Sequence, residues 1–208
     1  MFRKIETPLQ FPTKLCLFGV QGTGKSYAIA QRTKGRRRVI IDAESGFKRY
    51  LAPGDLYAEL TSDKPGKEAI EHITQALAMR DIDDIIVDGA TTIGTLLAYE
   101  DTIPRKTKAG GIVIQPTATK APATIERVCQ ALVRSPANVW ITSRAIEVRN
   151  FGKPTGEVII DGSQAWAYMM DTVVLVKIGQ DGKREYVTTK KRTGIEEKPC
   201  PCPVCGKV

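Results

Sequence analysis

The sequence lacks the long apolar run that a membrane-spanning helix requires. None of its apolar stretches approaches the roughly 18 residues that cross a bilayer. The leading segment MFRKIETPLQF also lacks the apolar core of a secretory signal peptide. These absences argue against a membrane protein or a secreted one, and we expect a cytoplasmic protein with no membrane partner.

Cysteine and histidine are scarce, with five cysteines and one histidine among 208 residues. Cys16 and Cys129 stand in apolar segments, whereas the other three cysteines lie within the last nine residues. This distribution suggests no disulfide framework. The single histidine, His72, falls in a helical pattern of mixed polarity and is predicted to be a surface residue.

Positive charge is in excess, because 31 Lys and Arg residues outnumber 23 Asp and Glu residues and give a formal net charge of +8. A polyanionic partner fits this excess, and so does a merely soluble basic enzyme. The basic run at 34–38 is predicted to be a solvated turn. The length and a hydrophobic fraction of 42% predict one domain with a single sizeable core.

Short apolar runs alternate with helical patterns along most of the chain. Strands are predicted at about 14–18, 38–42, 56–60, 85–88 and 138–143, and helices at about 25–33, 66–80, 91–101 and 121–134. This order predicts an α/β fold with a mostly parallel sheet flanked by helices. A short helix at about 163–169 then precedes DTVVLVKI and REYVTTK, which predict an antiparallel C-terminal edge hairpin around GQDGK.

The stretch FGVQGTGKSY carries the most specific pattern. Gly19, four further residues and the run Gly24, Lys25 and Ser26 fit a phosphate-binding loop between a strand and a helix. Lys25 is predicted to contact the β- and γ-phosphates of ATP, and Ser26 to bind Mg²⁺. A glycine-rich turn that binds nothing is the alternative. The predicted nucleotide-binding residues of this stretch are Gly19, Gln21, Gly22, Thr23, Gly24, Lys25, Ser26 and Tyr27.

Two carboxylates follow apolar strands and are expected at the same edge of the sheet as the loop. Asp88 ends the run DIIVD and is predicted to join Ser26 at the magnesium ion. Glu44 follows RVIID and is predicted to orient the attacking water. The plainer alternatives are a polar turn former at Asp88 and a helix cap at Glu44.

The loop together with IDAE resembles the RecA family of P-loop ATPases, over residues 14 to about 194. The resemblance implies a RecA-like fold, ATP hydrolysis with Glu44 as the catalytic base, and a γ-phosphate-sensing strand in NVWITSRA that ends at Ser143. This strand departs from the recombinases, which have glutamine where this chain has Ser143 and Arg144. VTTKKRTG is similar to the element with which Lys190 and Arg192 would reach ATP on a neighbouring subunit.

Two segments resemble the DNA-binding loops of that family. DTIPRKTKAGGIVIQPTATK is predicted to be long and without regular structure, and a second loop follows NVWITS. Basic side chains would contact phosphates and one aromatic ring would stack on bases. A solvated basic loop and a long hairpin with a buried Phe are the alternatives. The implied DNA-binding residues are Arg105, Lys106, Lys108, Arg144, Arg149, Phe151 and Lys153.

The layout GxxGxGKS, IDAE and KKRTG is similar to phage-encoded RecA-like single-strand annealing proteins and related phage nucleotide-binding proteins. It implies an ATP-dependent protein that binds single-stranded DNA in phage recombination, assembles into a ring or filament, and cooperates with a single-strand-binding protein. We expect an oligomerisation segment at 1–13, an ATPase core at 14–194 and a Cys-rich tail at 195–208. A helicase-loader-like ATPase and, less readily, a small-molecule kinase are alternatives.

The tail KPCPCPVCGKV has the C-x-x-C spacing of a zinc knuckle at Cys202 and Cys205, and Cys200 adds a third thiolate. A closed structural zinc site needs four ligands. The fourth would come from His72, a second chain or further sequence. A terminal tail with free thiols is the alternative.

Overall fold

The computed structural model describes residues 12–101, 103–106, 112–115 and 120–191, with the backbone alone at 103–106, 112–115 and 120. The strands are β1 Lys14–Gly19, β2 Arg38–Asp42, β3 Leu56–Glu59, β4 Asp84–Asp88, β5 Ile103–Lys106, β6 Ile112–Gln115, β7 Asn138–Asn150, β8 Lys153–Ile160, β9 Thr172–Ile178 and β10 Arg184–Lys191. The helices are α1 Lys25–Arg32, α2 Pro65–Ala78, α3 Ala90–Glu100, α4 Lys120–Arg134 and α5 Ala165–Tyr168. Within these residues, no helix is both long enough and apolar enough to cross a membrane.

The main sheet has the strand order β10, β9, β1, β7, β4, β2, β3. The strands from β9 to β3 are parallel, whereas β10 runs antiparallel to β9. The carboxyl ends of parallel strands lie at one edge of a sheet. At this edge, Gly19 lies in register with Arg144, and Asp42 lies in register with Asp88. The predicted fold is confirmed, including the antiparallel edge hairpin.

Apolar side chains cover both faces of this sheet, as expected for central parallel strands. In β1, Leu15 and Leu17 pack toward α1, and Cys16 and Phe18 pack into the larger core that includes helices α2 to α5. Each fully buried apolar side chain contributes about 1.5–3 kcal/mol. Cys16 and Cys129 are free and buried, and burial raises the pKa of both thiols to about 12.

The prediction of a solvated turn at 34–38 is wrong for its last residue. Arg38 begins β2, is buried, and forms an ion pair with Asp55. Its guanidinium also lies 5.8 Å from the centre of the Phe47 ring. Water cannot hydrate a charge at this buried strand position, so the Asp55 carboxylate compensates for the hydration that Arg38 loses.

Two segments are more regular than the sequence predicted. The stretch at 101–120 was expected to lack regular structure, but β5 and β6 form an antiparallel pair there. Strand β7 was expected to end at 143, but it continues to Asn150 and pairs with β8. The turn between them is Phe151 and Gly152, with φ of 47° and 77°, as in the two-residue turns that match the strand twist.

Candidate nucleotide-binding site

The loop between β1 and α1 requires glycine at several positions. Gly22 and Gly24 have φ of 83° and 89°, a region in which residues with a Cβ are strained. A Cβ at Gly19 would lie 2.2 Å from the carbonyl oxygen of Val176. Gly24 is the N-cap of α1, whose first N–H groups have no intrahelical acceptor. The loop therefore presents free N–H donors, as an anion site needs.

Lys25 supplies the positive charge of this loop. Its Nζ donates hydrogen bonds to the carbonyl oxygens of Gly19 at 2.9 Å and Val20 at 3.0 Å, so the side chain folds back along the loop. Burial lowers the pKa of Lys25, and the nearby carboxylates of Glu44 and Asp88 oppose that shift. This position suits contact with a polyphosphate lying over the loop.

Ser26 and Asp88, the predicted magnesium ligands, are joined by a hydrogen bond beside the loop. The Ser26 hydroxyl donates to Asp88 Oδ1 at 2.8 Å, and the Thr142 hydroxyl donates to the same oxygen at 2.6 Å. Asp88 is buried, and burial raises its pKa to about 6 against the opposing effect of these hydrogen bonds. A cation next to Asp88 would offset the cost of burying its charge.

Magnesium fits this pair, since a hydroxyl and a carboxylate are the hard oxygen ligands that it prefers. The described part of the chain has no group of three His, Cys, Asp or Glu residues that could hold a metal ion. Ser26 and Asp88 would therefore share the ion with phosphate oxygens and water, as Mg²⁺ commonly requires.

Glu44 lies at the end of the next strand along this edge. Asp42 accepts hydrogen bonds from the backbone N–H groups of Glu44 at 3.0 Å and Phe47 at 2.9 Å, and so holds the turn after β2. The Glu44 side chain instead accepts from the Thr92 hydroxyl at 2.6 Å. The contacts of a cap therefore belong to Asp42, and the Glu44 carboxylate points toward α3.

Arg144, which was predicted to contact DNA, is the ion-pair partner of Glu44. Its Nε donates to Glu44 Oε1 at 2.8 Å, and its backbone N–H donates to the Thr91 hydroxyl at 3.0 Å. Ser143 was predicted to face the nucleotide, but its hydroxyl is buried 2.8 Å from that of Thr91. Because side chains alternate along β7, it is Thr142 that reaches Asp88.

Lys190 lies at the opposite edge of the sheet from the loop of its own chain. It pairs with Val173 near the start of β9, about 20 Å along β10 from Arg184. Its Nζ donates to the carbonyl oxygens of Ala167, at 3.3 Å, and Tyr168. Lys190 is therefore not part of the nucleotide site of its own chain, and Arg192 lies outside the described residues.

The hairpin of β7 and β8 projects beyond the same edge of the sheet as the loop. Phe151 is 100% exposed at its tip, so the alternative of a buried Phe is wrong. Arg149 and Lys153, on either side of the tip, are also exposed. Of the first DNA-binding segment, Arg105 and Lys106 lie on β5, where only the backbone is described, and Lys108 lies outside the described residues.

Three residues of the site escaped the sequence analysis. Thr92 lies in a predicted helix and Thr142 in a predicted strand, and each donates a hydrogen bond to a carboxylate that the sequence did identify. Arg184, at the start of β10, donates from Nε to the carbonyl oxygen of Thr23 at 3.2 Å and lies 5.0 Å from the ring of Tyr27. Nothing in the local sequence distinguishes Arg184 from its basic neighbours, because only strand pairing brings it to the loop.

The predicted zinc ligands Cys200, Cys202 and Cys205 lie outside the described residues, so the structure does not support zinc. The candidate fourth ligand, His72, is partly exposed on α2 with its Nε2 3.7 Å from Glu68. Most of the predicted oligomerisation segment and all of the Cys-rich tail also lie outside the described residues, so this division of the chain stays a prediction.

No protein-family model matches this sequence, and no curated protein matches it. The chain is similar in structure to the RadB recombinase, with a TM-score of 0.57 and 16% identity over 89% of this chain and 84% of that one. It is also similar to the KaiC-like protein PH0186 from Pyrococcus horikoshii OT3, with a TM-score of 0.52 and 13% identity over 88% and 82% of the two chains. The fold is RecA-like. At these identities, the RecA-like neighbours establish the fold alone.

Proposed function

We propose that this RecA-like protein binds ATP with magnesium at the loop of β1 and α1 and hydrolyses it. The observation that carries the proposal is the contact between Ser26 and Asp88 beside Lys25, with Glu44 at the same edge of the sheet. The RecA-like neighbours support an ATPase fold. A loop that bound only an inorganic anion would have no use for the two carboxylates.

Each residue has a chemical task in this proposal. Lys25 and the N–H groups at the start of α1 hold the phosphates, and Ser26 and Asp88 hold magnesium, which would neutralise charge on the phosphates. Glu44 orients the attacking water and accepts its proton. Its Oε1 accepts hydrogen bonds from Thr92 and Arg144, so release of these contacts would free that oxygen to accept the proton.

We propose that the partner of the ATPase is single-stranded DNA, bound along the β7–β8 hairpin. The exposed Phe151 ring can stack on a base, and stacking contributes about 1–3 kcal/mol per base. Arg149 and Lys153 would contact phosphates, in keeping with the net charge of +8. One of the similar structures is named a recombinase, which supports a role in recombination.

The finer function is strand annealing or pairing of the phage type, in which copies assemble and act with a single-strand-binding protein. Assembly is supported by the place of Lys190, which is too far from its own loop to serve it but would suit a neighbour's. Segment 1–13 would dock on that neighbour.

Deleting residues 1–12 should give monomers with low ATPase activity. The Arg192→Ala variant should form normal assemblies but hydrolyse ATP slowly.

The decisive experiment measures ATP turnover with and without single-stranded DNA, over a range of salt concentrations. We expect DNA to stimulate turnover and to bind less tightly as salt rises, because phosphate contacts release counterions. Turnover that does not change when DNA is added would favour a helicase-loader-like or other accessory ATPase. Phosphate transfer to a small-molecule acceptor would instead indicate a kinase.

A further inference from the structure

One side of the phosphate loop, toward β9 and β10, carries Arg184, which has no role in the proposed function. We call this side the basic flank. Strand β1 has β7 on one side, toward Asp88 and Glu44, and β9 followed by β10 on the other. Arg184 begins β10 and lies against the loop from this second side. Its guanidinium lies close over Gly24, where a Cβ would be 2.3 Å from Arg184 Nε and 2.9 Å from Cζ.

Arg184 differs from its charged neighbours in the contacts it makes. Lys183 pairs with Asp181 at 3.5 Å, and Glu185 pairs with Lys177 at 2.8 Å. Among the described residues, no carboxylate pairs with Arg184, which instead contacts a carbonyl oxygen and the Tyr27 ring. Only its Nε is used in the hydrogen bond, which leaves the terminal N–H groups of the fork for another acceptor.

The direction of the bound nucleotide follows from the two flanks. If magnesium and the γ-phosphate lie toward Ser26 and Asp88, the α-phosphate and sugar lie toward the opposite side. We propose that Arg184 contacts the nucleotide there and binds its α-phosphate, an inference that rests on the proposed binding of ATP. A guanidinium suits this task, because its planar N–H groups match phosphate oxygens.

The test compares the affinities of the full-length protein for ATP and ADP with magnesium, by calorimetry. Arg184→Ala should weaken both nucleotides by the same factor, about tenfold, because both carry the α-phosphate and one charge-assisted hydrogen bond is lost. Arg184→Lys keeps the charge and Arg184→Gln keeps only a neutral donor, so the lysine variant should bind more tightly than the glutamine variant. Lys183→Ala, one residue away on the same hairpin, is the matched control and should bind as wild type does.

Three results would overturn the proposal for Arg184. These are unchanged affinity in Arg184→Ala, a glutamine variant that binds at least as tightly as the lysine variant, and a loss for ATP without a loss for ADP. The second result would mean that Arg184 only shapes the loop, and the third that it contacts the γ-phosphate. Failure of both the wild type and Lys183→Ala to bind any nucleotide would instead contradict the proposed function.

Discussion

The two flanks of the phosphate loop are built in different ways. On the side of β7, β4 and β2, the carboxylates of Asp88 and Glu44 are joined to hydroxyls and to Arg144 by hydrogen bonds of 2.6–2.8 Å. On the side of β9 and β10, one exposed arginine contacts the loop through a single hydrogen bond and a ring. The first flank is positioned before any ligand arrives, and the second can adjust to one.

This difference has an electrostatic reason. Asp88 is buried, and the loss of hydration raises its pKa to about 6. A nearby cation would stabilise the charged carboxylate and offset this cost. Arg184 is exposed, so salt screens its charge and it needs no partner to remain stable. The acidic flank is therefore suited to chemistry that needs fixed geometry, and the basic flank to binding.

The largest effect should come from removing the proposed base on the acidic flank. Glu44→Gln keeps the shape of the side chain but loses the proton acceptor, so ATP should bind normally while turnover falls about 10²–10⁴-fold. Nucleotide affinity and steady-state hydrolysis are the measurements. Glu59→Gln, at the end of the adjacent strand β3, is the control and should turn over normally. Wild-type turnover in Glu44→Gln would leave this residue without a catalytic role.

Lys25→Ala tests the centre of the loop, between the two flanks. Loss of the charge-assisted contacts to the phosphates should weaken ATP about 100-fold or more, as measured by calorimetry. Lys34→Ala, at an exposed position after α1, is the control for a general loss of positive charge. Unchanged affinity in Lys25→Ala would mean that the loop does not bind nucleotide in the proposed way.

Phe151→Ala tests whether the hairpin that continues from the acidic flank holds DNA. Loss of one stacked base, worth about 1–3 kcal/mol, should weaken single-stranded DNA binding by about fivefold to 150-fold. Fluorescence anisotropy with an oligonucleotide measures this loss, and ATP affinity should be unchanged. Tyr99→Ala, which removes another exposed aromatic ring, on α3 and outside the hairpin, is the control. Equal DNA affinity in the two variants would remove the hairpin from the DNA site.

The smallest effect concerns the ion pair within the acidic flank. Arg144→Gln frees Glu44 from a partly exposed pair worth about 0.3–1 kcal/mol, so turnover without DNA should rise about two- to fivefold. Arg149→Ala, farther along the same strand, should leave that basal rate unchanged. A fall in the basal rate of Arg144→Gln would show that the arginine assists hydrolysis and does not restrain it.

Sequence patterns predicted the strands and helices well where each is a short run with a clear period. The helix after the loop was expected at about 25–33 and spans Lys25–Arg32, and the β9–β10 hairpin forms where GQDGK indicated it. The sequence indicated the β7–β8 hairpin only as an alternative to a DNA-binding loop, because its turn, Phe151 and Gly152, lacks the Asn or Asp that usually marks such turns. The sequence also predicted that Ser143 faces the nucleotide, whereas it is Thr142 that contacts Asp88. Which of the two neighbours faces the site depends on the pleat of β7.

The sequence by itself determined the phosphate loop, because its glycines, lysine and serine are consecutive and their spacing is the requirement. It also placed Asp88 and Glu44 at strand ends that follow apolar runs. Only the tertiary structure decided what these groups touch. Arg144 meets Glu44 across 100 positions of sequence, and Arg184 meets Thr23 across 161. Both contacts depend on the order of strands in the sheet. This order is set by packing between distant segments of the chain, and no local sequence pattern encodes it.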